Sequence, residues 1–302
     1  MPDLVVVVPN LNGASFLLDT LTAVGPAAGG LSHETVVVDN GSTDGSADLV
    51  RREMPGVRVI ANPDNRGFAV ACNQGGRAVN SRYVLLLNSD VALPPGSLAR
   101  MAAAMDANPD VGALTPTLIW PDGRLQGAKL PRRHRGDLVP LPVVPGTCLM
   151  ARREALDAVG WLDERFFFYN EDLDLSIRLR KARWRIVCIR SVRVPHVDGR
   201  STRADLEIRA RAMFEGYRGG LLLVRKHHPW AAGVAHLGIR AYLHAQTLRL
   251  WFKRATGSAL SDRDLALATC LPLARAGLDI PGSRQAGNAR ESVPAATGEG
   301  SR

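Results

Sequence analysis

The chain has 302 residues, 46% hydrophobic and 22% charged, a balance that excludes a disordered, collagen-like or disulfide-scaffolded protein. Its formal charge of +9 is unevenly placed, with 7 basic and 11 acidic side chains in residues 1–120 against 31 and 18 in residues 121–302. The basic second half points to a polyanionic partner, whether nucleic acid, an anionic membrane surface or a diphosphate.

Along the first half, short β-rich runs alternate with helical stretches. LVVVV (4–8) and TVVVD (35–39) are continuous apolar runs, the pattern of strands covered on both faces. Between them, Phe16, Leu17, Thr20, Leu21 and Val24 recur at helical spacing over 14–24. NGSTDGS (40–46) leads into a helix to Glu53, then come VRVIAN (57–62), a helical 68–80 and YVLLLNSD (83–90). Strand and helix in alternation with short connections imply an α/β fold with a mostly parallel sheet. Ligands of such sheets sit at the carboxyl ends of the strands, so NLN, DNGSTD and NSD should converge on one crevice. A helix over 95–107 follows, then an irregular Pro/Gly/Arg stretch over 121–146, expected to be a functional loop. RREALDAVG (152–160) reads as a helix, NEDLDLSIRLRKA as another, and WRIVCI as a strand.

Several polar residues stand where chemistry could occur. Asp39 ends a buried strand, either as part of a strand-to-helix turn or as an acceptor for a nucleotide base or ribose. Asp90 closes YVLLLNSD and either belongs to a turn or holds a hard divalent ion, for which one or two carboxylates suffice. Glu171, Asp172 and Asp174 crowd one helix start, where they complement the helix dipole or supply a general base. His196 follows another strand, beside the polar Asp198, Arg200 and Ser201. Cys72, Cys148, Cys188 and Cys270 form no C-x-x-C pair and read as free thiols. No cleavable leader and no apolar run of roughly 18 residues is present, so the expected location is the cytoplasm, with membrane attachment left open.

Six segments in order, VVVVPNLNG, VVVDNGSTDGS, NPDNRGFAVACNQG, YVLLLNSD, PGTCLMARREALDAVGWLDERFFFYNEDLDLSIRLRKARWRIV and PHVDGRS, resemble glycosyltransferase family 2. These are inverting enzymes of the GT-A fold, and the likeness is to their rhamnosyltransferase-like branch, which builds cell-envelope glycans. It covers roughly residues 3–228.

The resemblance implies a role for each matched position. Pro9, Asn10 and Asn12 would meet the nucleotide and Asp39 its base. Asn65, Gly67, Phe68 and Asn73 would line the nucleotide and sugar side, and Gly146 and Thr147 would face the sugars. The family's metal-binding Asp-X-Asp corresponds to Asn88-Ser89-Asp90, with Asn in place of the first acid. That leaves Asp90 as the principal carboxylate for Mg²⁺ or Mn²⁺, with His196 as a further ligand. Asp172 would be the catalytic base. A dTDP- or UDP-sugar donor and a polyprenyl-diphosphate-linked glycan acceptor complete the expectation, and nucleic acid is not an expected partner.

Galactofuranose, glucose or mannose on the same scaffold, or a non-catalytic sugar-nucleotide or nucleic-acid binding module, are the alternatives. A dinucleotide oxidoreductase is disfavoured, because NLNGAS rather than G-x-G-x-x-G follows the first strand. The expected layout is a GT-A domain over 1–228, a helical segment over 229–280 and a disordered tail over 281–302. Within the helical segment Trp230, Val234, Leu237, Ala241, Ala245, Leu248 and Phe252 form one apolar stripe, which could pack on the protein or lie on a membrane surface.

Overall fold

A computed structural model describes residues 1–126, 135–196 and 206–277 of the chain. Asp198, Arg200, Ser201 and the tail over 281–302 lie outside the described residues, as does 127–134 of the Pro/Gly/Arg stretch.

The described residues build one sheet of eight strands in the order β3-β2-β1-β4-β7-β5-β8-β6. β1 (Leu4–Asn10), β2 (His33–Asn40), β3 (Arg58–Asn62) and β4 (Tyr83–Leu87) are mutually parallel. They are linked by α1 (Leu17–Ala28), α2 (Ser46–Glu53) and α3 (Phe68–Arg77). Helix α4 (Ser97–Asp106) leads to β5 (Val111–Ile119), and β6 is the short Leu138–Pro140. β7 (Cys148–Arg152) runs antiparallel between β4 and β5, and β8 (Arg185–Pro195) is parallel to β5 and antiparallel to β6. Helices α5 (Arg153–Val159) and α6 (Glu171–Lys181) lie between β7 and β8, while α7 (Leu206–His227), α8 (Ala232–Ala255) and α9 (Asp262–Gly277) follow.

The alternation of inward side chains shows why apolar runs form the central strands. Leu4, Val6 and Val8 join the core under α1 and α4, whereas Val5 and Val7 join the core under α3, α5 and α6. Both faces of β1 are therefore dry, which a continuous run of valines satisfies and an alternating strand would not. Gly75 and Gly76 let α3 settle onto the sheet: an added Cβ would stand 2.4 Å from Val7 at the first and 2.4 Å from Trp161 at the second.

Three expectations needed correction. β5 and β7 were not foreseen as strands; VGALTPTLI of β5 carries a proline and CLMAR of β7 is only five residues long. The stretch over 121–146 is not wholly irregular, since Ile119 bridges Leu125 and Leu138–Pro140 pairs with β8. The third helix stops at Arg77 rather than residue 80. All four cysteines are buried free thiols, as their spacing suggested.

A third apolar cluster joins α7, α8 and α9 through Ala210, Leu221, Leu243, Leu250, Leu267, Cys270 and Leu271. Helix α7 also grips the body: Asn170 Nδ2 donates to the Gly216 carbonyl at 3.1 Å, and Lys226 and His227 reach α6.

Candidate active site

The first wall of the crevice is built where β1 and β2 end side by side, with Asn10 in register with Asp39. Asn10 Nδ2 donates to Asp39 Oδ1 (2.8 Å) and Ser46 Oγ (2.8 Å), and Ser42 Oγ donates to the same Asp39 oxygen at 2.6 Å. Asp39 Oδ2 accepts the Ser42 amide at 3.1 Å and is the oxygen with remaining capacity. Asn12, at φ 52°, takes the Thr43 amide on its Oδ1, and its own amide donates to Ser42 Oγ. The turn after Pro9 and the turn after Asp39 are thus stitched into one surface. Ser42 is the pivot of that stitching.

Asn65, Gly67 and Phe68 form the adjoining loop. Asn65 Oδ1 accepts the Gly67 amide (3.0 Å), Asn40 Nδ2 donates to the Gly67 carbonyl, and the Phe68 amide donates to the Phe167 carbonyl at 2.8 Å. Gly67 has φ 92°, and a Cβ there would meet the Phe167 oxygen at 2.7 Å, so only glycine fits. The Phe68 ring stands against Gly146, 3.5 Å from where a Cβ would sit. Asn73 is placed differently. Its amide is spent on Leu162 and Glu164, and it lines a cavity of about 420 Å³ with Arg77, Asp163, Arg178 and Lys226, none of the other foreseen residues sharing that lining.

At the end of β4 the Asn88 amide donates to the Thr147 carbonyl at 2.9 Å, and Thr20 Oγ1 holds the Ser89 carbonyl at 2.7 Å. These ties fix the turn that presents Asp90. His196, beyond β8, is held by its amide to Ile119 and by a bridge to Val91. Asp90 Oδ1 and His196 Nε2 are both buried and lie 3.2 Å apart, yet Nε2 has no hydrogen-bond partner. The other ring nitrogen, Nδ1, faces Gln126 Oε1 at 2.8 Å. A carbonyl oxygen can only accept, so Nδ1 carries a hydrogen, and in the neutral ring Nε2 turns its lone pair toward the Asp90 carboxylate. Two electron-rich atoms in such contact fit a divalent cation of the Mg²⁺ or Mn²⁺ type, with Asn88 adding a neutral oxygen at most. No cluster of three acidic, His or Cys ligands occurs among the described residues. Gln126 was not foreseen, because its place comes from the small hairpin after β5 and nothing in its local sequence marks it.

Helix α6 begins with the three carboxylates and separates them. Glu171 is buried beneath Asp172, one oxygen lacking a partner, and burial followed by the nearby Asp172 charge pushes its carboxyl well above the usual range. Asp174 is fully buried in an ionic cluster with Arg178 (2.7 Å), Lys226 (2.7 Å) and His227 (2.8 Å). Against the upward push of burial, those partners hold its carboxyl below its ordinary value. Asp172 alone keeps partial exposure. Its Oδ1 accepts the Leu173 amide (2.8 Å) and its Oδ2 the Gly146 amide (3.3 Å), while burial raises its carboxyl. Gly146 precedes Thr147, whose carbonyl holds Asn88, so short contacts join the Asp172 side of the crevice to the Asp90 side. One side therefore offers a carboxylate with spare oxygen capacity and the other an acid-imidazole pair.

A stability test separates the first two carboxylates. Glu171 binds its proton more tightly folded than unfolded, so its contribution to stability falls as pH rises from the ordinary glutamate range toward the folded value. Glu171→Gln is expected to flatten the decline of melting temperature between about pH 5 and about pH 9. An unchanged slope would show that Glu171 is charged in the folded protein.

Comparison with known proteins gives this geometry a family. The model of "Glycosyl transferase family 2" matches residues 5–160 and that of "Glycosyl transferase family group 2" matches residues 83–261. The N-acetylglucosaminyl-diphospho-decaprenol L-rhamnosyltransferase of Mycobacterium tuberculosis is 31% identical over 209 residues, covering 56% of this chain and 68% of that one. An uncharacterized glycosyltransferase of the same organism is 31% identical over 208 residues, covering 65% and 87%. Among solved structures, the mannosyltransferase PcManGT from Pyrobaculum calidifontis, in complex with GDP-Man and Mn²⁺, aligns with a TM-score of 0.55 at 20% identity, covering 91% of this chain and 88% of that one. S. aureus TarS 1–349 in complex with UDP aligns with a TM-score of 0.54 at 14% identity, covering 91% and 90%. Both show a shared GT-A fold, a mixed sheet flanked by helices. With its model match, its 31% identical relative and this fold, the chain belongs to glycosyl transferase family 2, in the rhamnosyltransferase-like branch.

Proposed function

We propose that this glycosyltransferase moves one sugar, L-rhamnose first among the candidates, from a dTDP- or UDP-sugar to a hydroxyl of a polyprenyl-diphosphate-linked glycan, inverting the anomeric centre. The observation that carries the reading is the sorting of three neighbouring carboxylates at the start of α6, which leaves Asp172 alone able to take a proton at the crevice. The M. tuberculosis relative's lipid-linked acceptor supports the acceptor class.

The chemistry balances without a covalent intermediate. The acceptor oxygen forms a bond to the anomeric carbon as the bond from that carbon to the diphosphate oxygen breaks, with the electron pair leaving on the nucleotide diphosphate. The hydroxyl proton passes to Asp172, whose raised affinity for protons suits a general base. Gly146 and Leu173 amides aim the carboxylate, and the Asn10-Asp39-Ser42 surface would seat the nucleoside. Asp90 and His196 would hold Mg²⁺ or Mn²⁺, which neutralises charge on a departing diphosphate. The reading places the enzyme in the cytoplasm, peripheral to the inner face of the cell membrane, where a lipid-linked acceptor is met.

A donor panel tests it. With Mn²⁺ present, dTDP-L-rhamnose or another dTDP- or UDP-sugar is expected to raise the melting temperature, by a stabilisation of about 2.7 kcal/mol at a hundredfold excess over Kd. The same donor should be consumed with the lipid-linked acceptor. Stabilisation and turnover by GDP-mannose alone would replace rhamnose with mannose as the sugar, and no response to any nucleotide sugar would overturn the reading.

A further inference from the structure

Helix α8 has two apolar faces. Ala235, Ile239, Leu243 and Leu250 pack toward α7 and α9. On roughly the opposite side at 3.6 residues per turn, Val234, Leu237, Leu248, Trp251 and Phe252 stand outward, with Trp230 in the 3-10 turn just before the helix, each between 55% and 84% exposed. The helix thus satisfies its own protein with one stripe and leaves another uncovered over about 27 Å from Val234 to Phe252, at 1.5 Å per residue. A contiguous apolar surface of this kind on a soluble face marks an interaction site.

The charges choose the occupant. From Pro229 to Ser261 the sequence has no Asp or Glu, against Arg240, Arg249, Lys253 and Arg254. Arg249 and Lys253 are tied to Asp264 (2.7 Å each), which anchors the end of α8 to α9. Arg240 and Arg254 are exposed, and Trp251 and Phe252 sit directly beside the basic Lys253-Arg254 pair. Paired with a second copy of itself, the stripe would bring cation against cation on a chain already at +9. An anionic bilayer surface instead offers hydrocarbon to the indole and aliphatic groups and phosphates to the flanking arginines. No helix among the described residues is long and apolar enough to cross a membrane, so the contact is one of lying on the surface.

We infer that the outward stripe of α8, from Val234 to Phe252, with Trp230 just before it, is a docking surface for an anionic phospholipid bilayer. The inference deepens the proposed function, because a bilayer-bound enzyme meets a polyprenyl-linked acceptor in two dimensions. Helix α7 ties this surface to the crevice, since its Lys226 and His227 clasp Asp174 two residues from Asp172.

The test uses the full chain, because α7 packs on α8 and α9 and a truncation at residue 229 would strip its core partners. Leu237→Glu, Leu248→Glu and Phe252→Glu are combined in one variant, all three side chains being outward. Cosedimentation is measured with phosphatidylglycerol-containing vesicles and with pure phosphatidylcholine vesicles. The parent is expected to bind the anionic vesicles preferentially and to be weakened by salt. The triple variant should lose at least about 100-fold in binding, given the apolar area withdrawn from each side chain's contact with lipid, while melting temperature and UDP or dTDP binding stay at parental values. Transfer to a long polyprenyl acceptor in vesicles should fall more than transfer to a short soluble one. Equal vesicle binding by parent and variant, or none by either, overturns the inference, as does a parental dimer that the variant dissociates, which would make the occupant a second copy. Absence of transfer to the short acceptor by the parent would count against the proposed function and leave the docking result standing.

Discussion

Asp172→Asn is expected to lower sugar transfer by about 10² to 10⁴-fold, the usual weight of general-base catalysis, while leaving nucleotide-sugar binding and melting temperature near parental values. The amide side chain keeps the size of Asp172 and one acceptor for the Leu173 or Gly146 amide, but cannot take a proton. Burial disfavours the charge of Asp172, so removing that charge imposes no stability loss. In the parent, kcat/KM should fall on acidification, because the base form is lost as pH drops through a carboxyl raised above the ordinary aspartate value. Asp174→Asn provides the contrast. It leaves Arg178 beside a buried site without its counter-charge, while Lys226 keeps Asp163 (2.7 Å), so it should destabilise the fold, by about 3 to 5 kcal/mol on the scale of a broken buried ion pair, and lower activity only through that loss. Parental rates in Asp172→Asn, with pH dependence intact, would move the base to another residue.

Excess chelator is expected to abolish transfer and added Mg²⁺ or Mn²⁺ to restore it. The donor's diphosphate would otherwise approach the Asp90 carboxylate with no metal charge between them at the Asp90-His196 pair. Direct Mn²⁺ binding, read from the loss of the free-ion electron paramagnetic resonance signal, should collapse in Asp90→Asn and His196→Ala. Gln126→Ala should weaken it about 10 to 100-fold, because the ring is then free to turn and to exchange its tautomer. Asn88→Asp should strengthen it by adding a second carboxylate. Undiminished transfer in excess chelator would remove the metal from the account.

Much of the fold was legible because β1, β2 and β4 are buried on both faces, and only unbroken apolar runs satisfy that environment. β7 was not, since its antiparallel place between β4 and β5 is a tertiary outcome of the whole sheet and leaves no period in CLMAR. The site divided in the same way. Asp39, Asp90 and Asp172 end strands or begin a helix, positions that local pattern marks. The division of labour among Glu171, Asp172 and Asp174 needed the third dimension. Lys226 and His227, which claim Asp174, lie about 50 residues downstream, at the far end of α7. Gln126 likewise meets His196 across 70 residues. Asn73 shows the reverse: a residue named through resemblance has its amide fully used in holding α3 to the Leu162–Glu164 turn.

A single displacement assisted by Asp172 at a nucleotide-sugar site dictates the anomeric configuration of the product. The full chain is incubated with Mn²⁺, the donor selected by the panel and a polyprenyl-diphosphate-linked acceptor, and the new glycosidic linkage is read by proton and carbon NMR coupling constants. The expected product has a configuration opposite to that of the donor and forms without any covalent sugar adduct on the chain. A product that retains the donor's configuration, or a glycosylated carboxylate trapped on the protein, would contradict it.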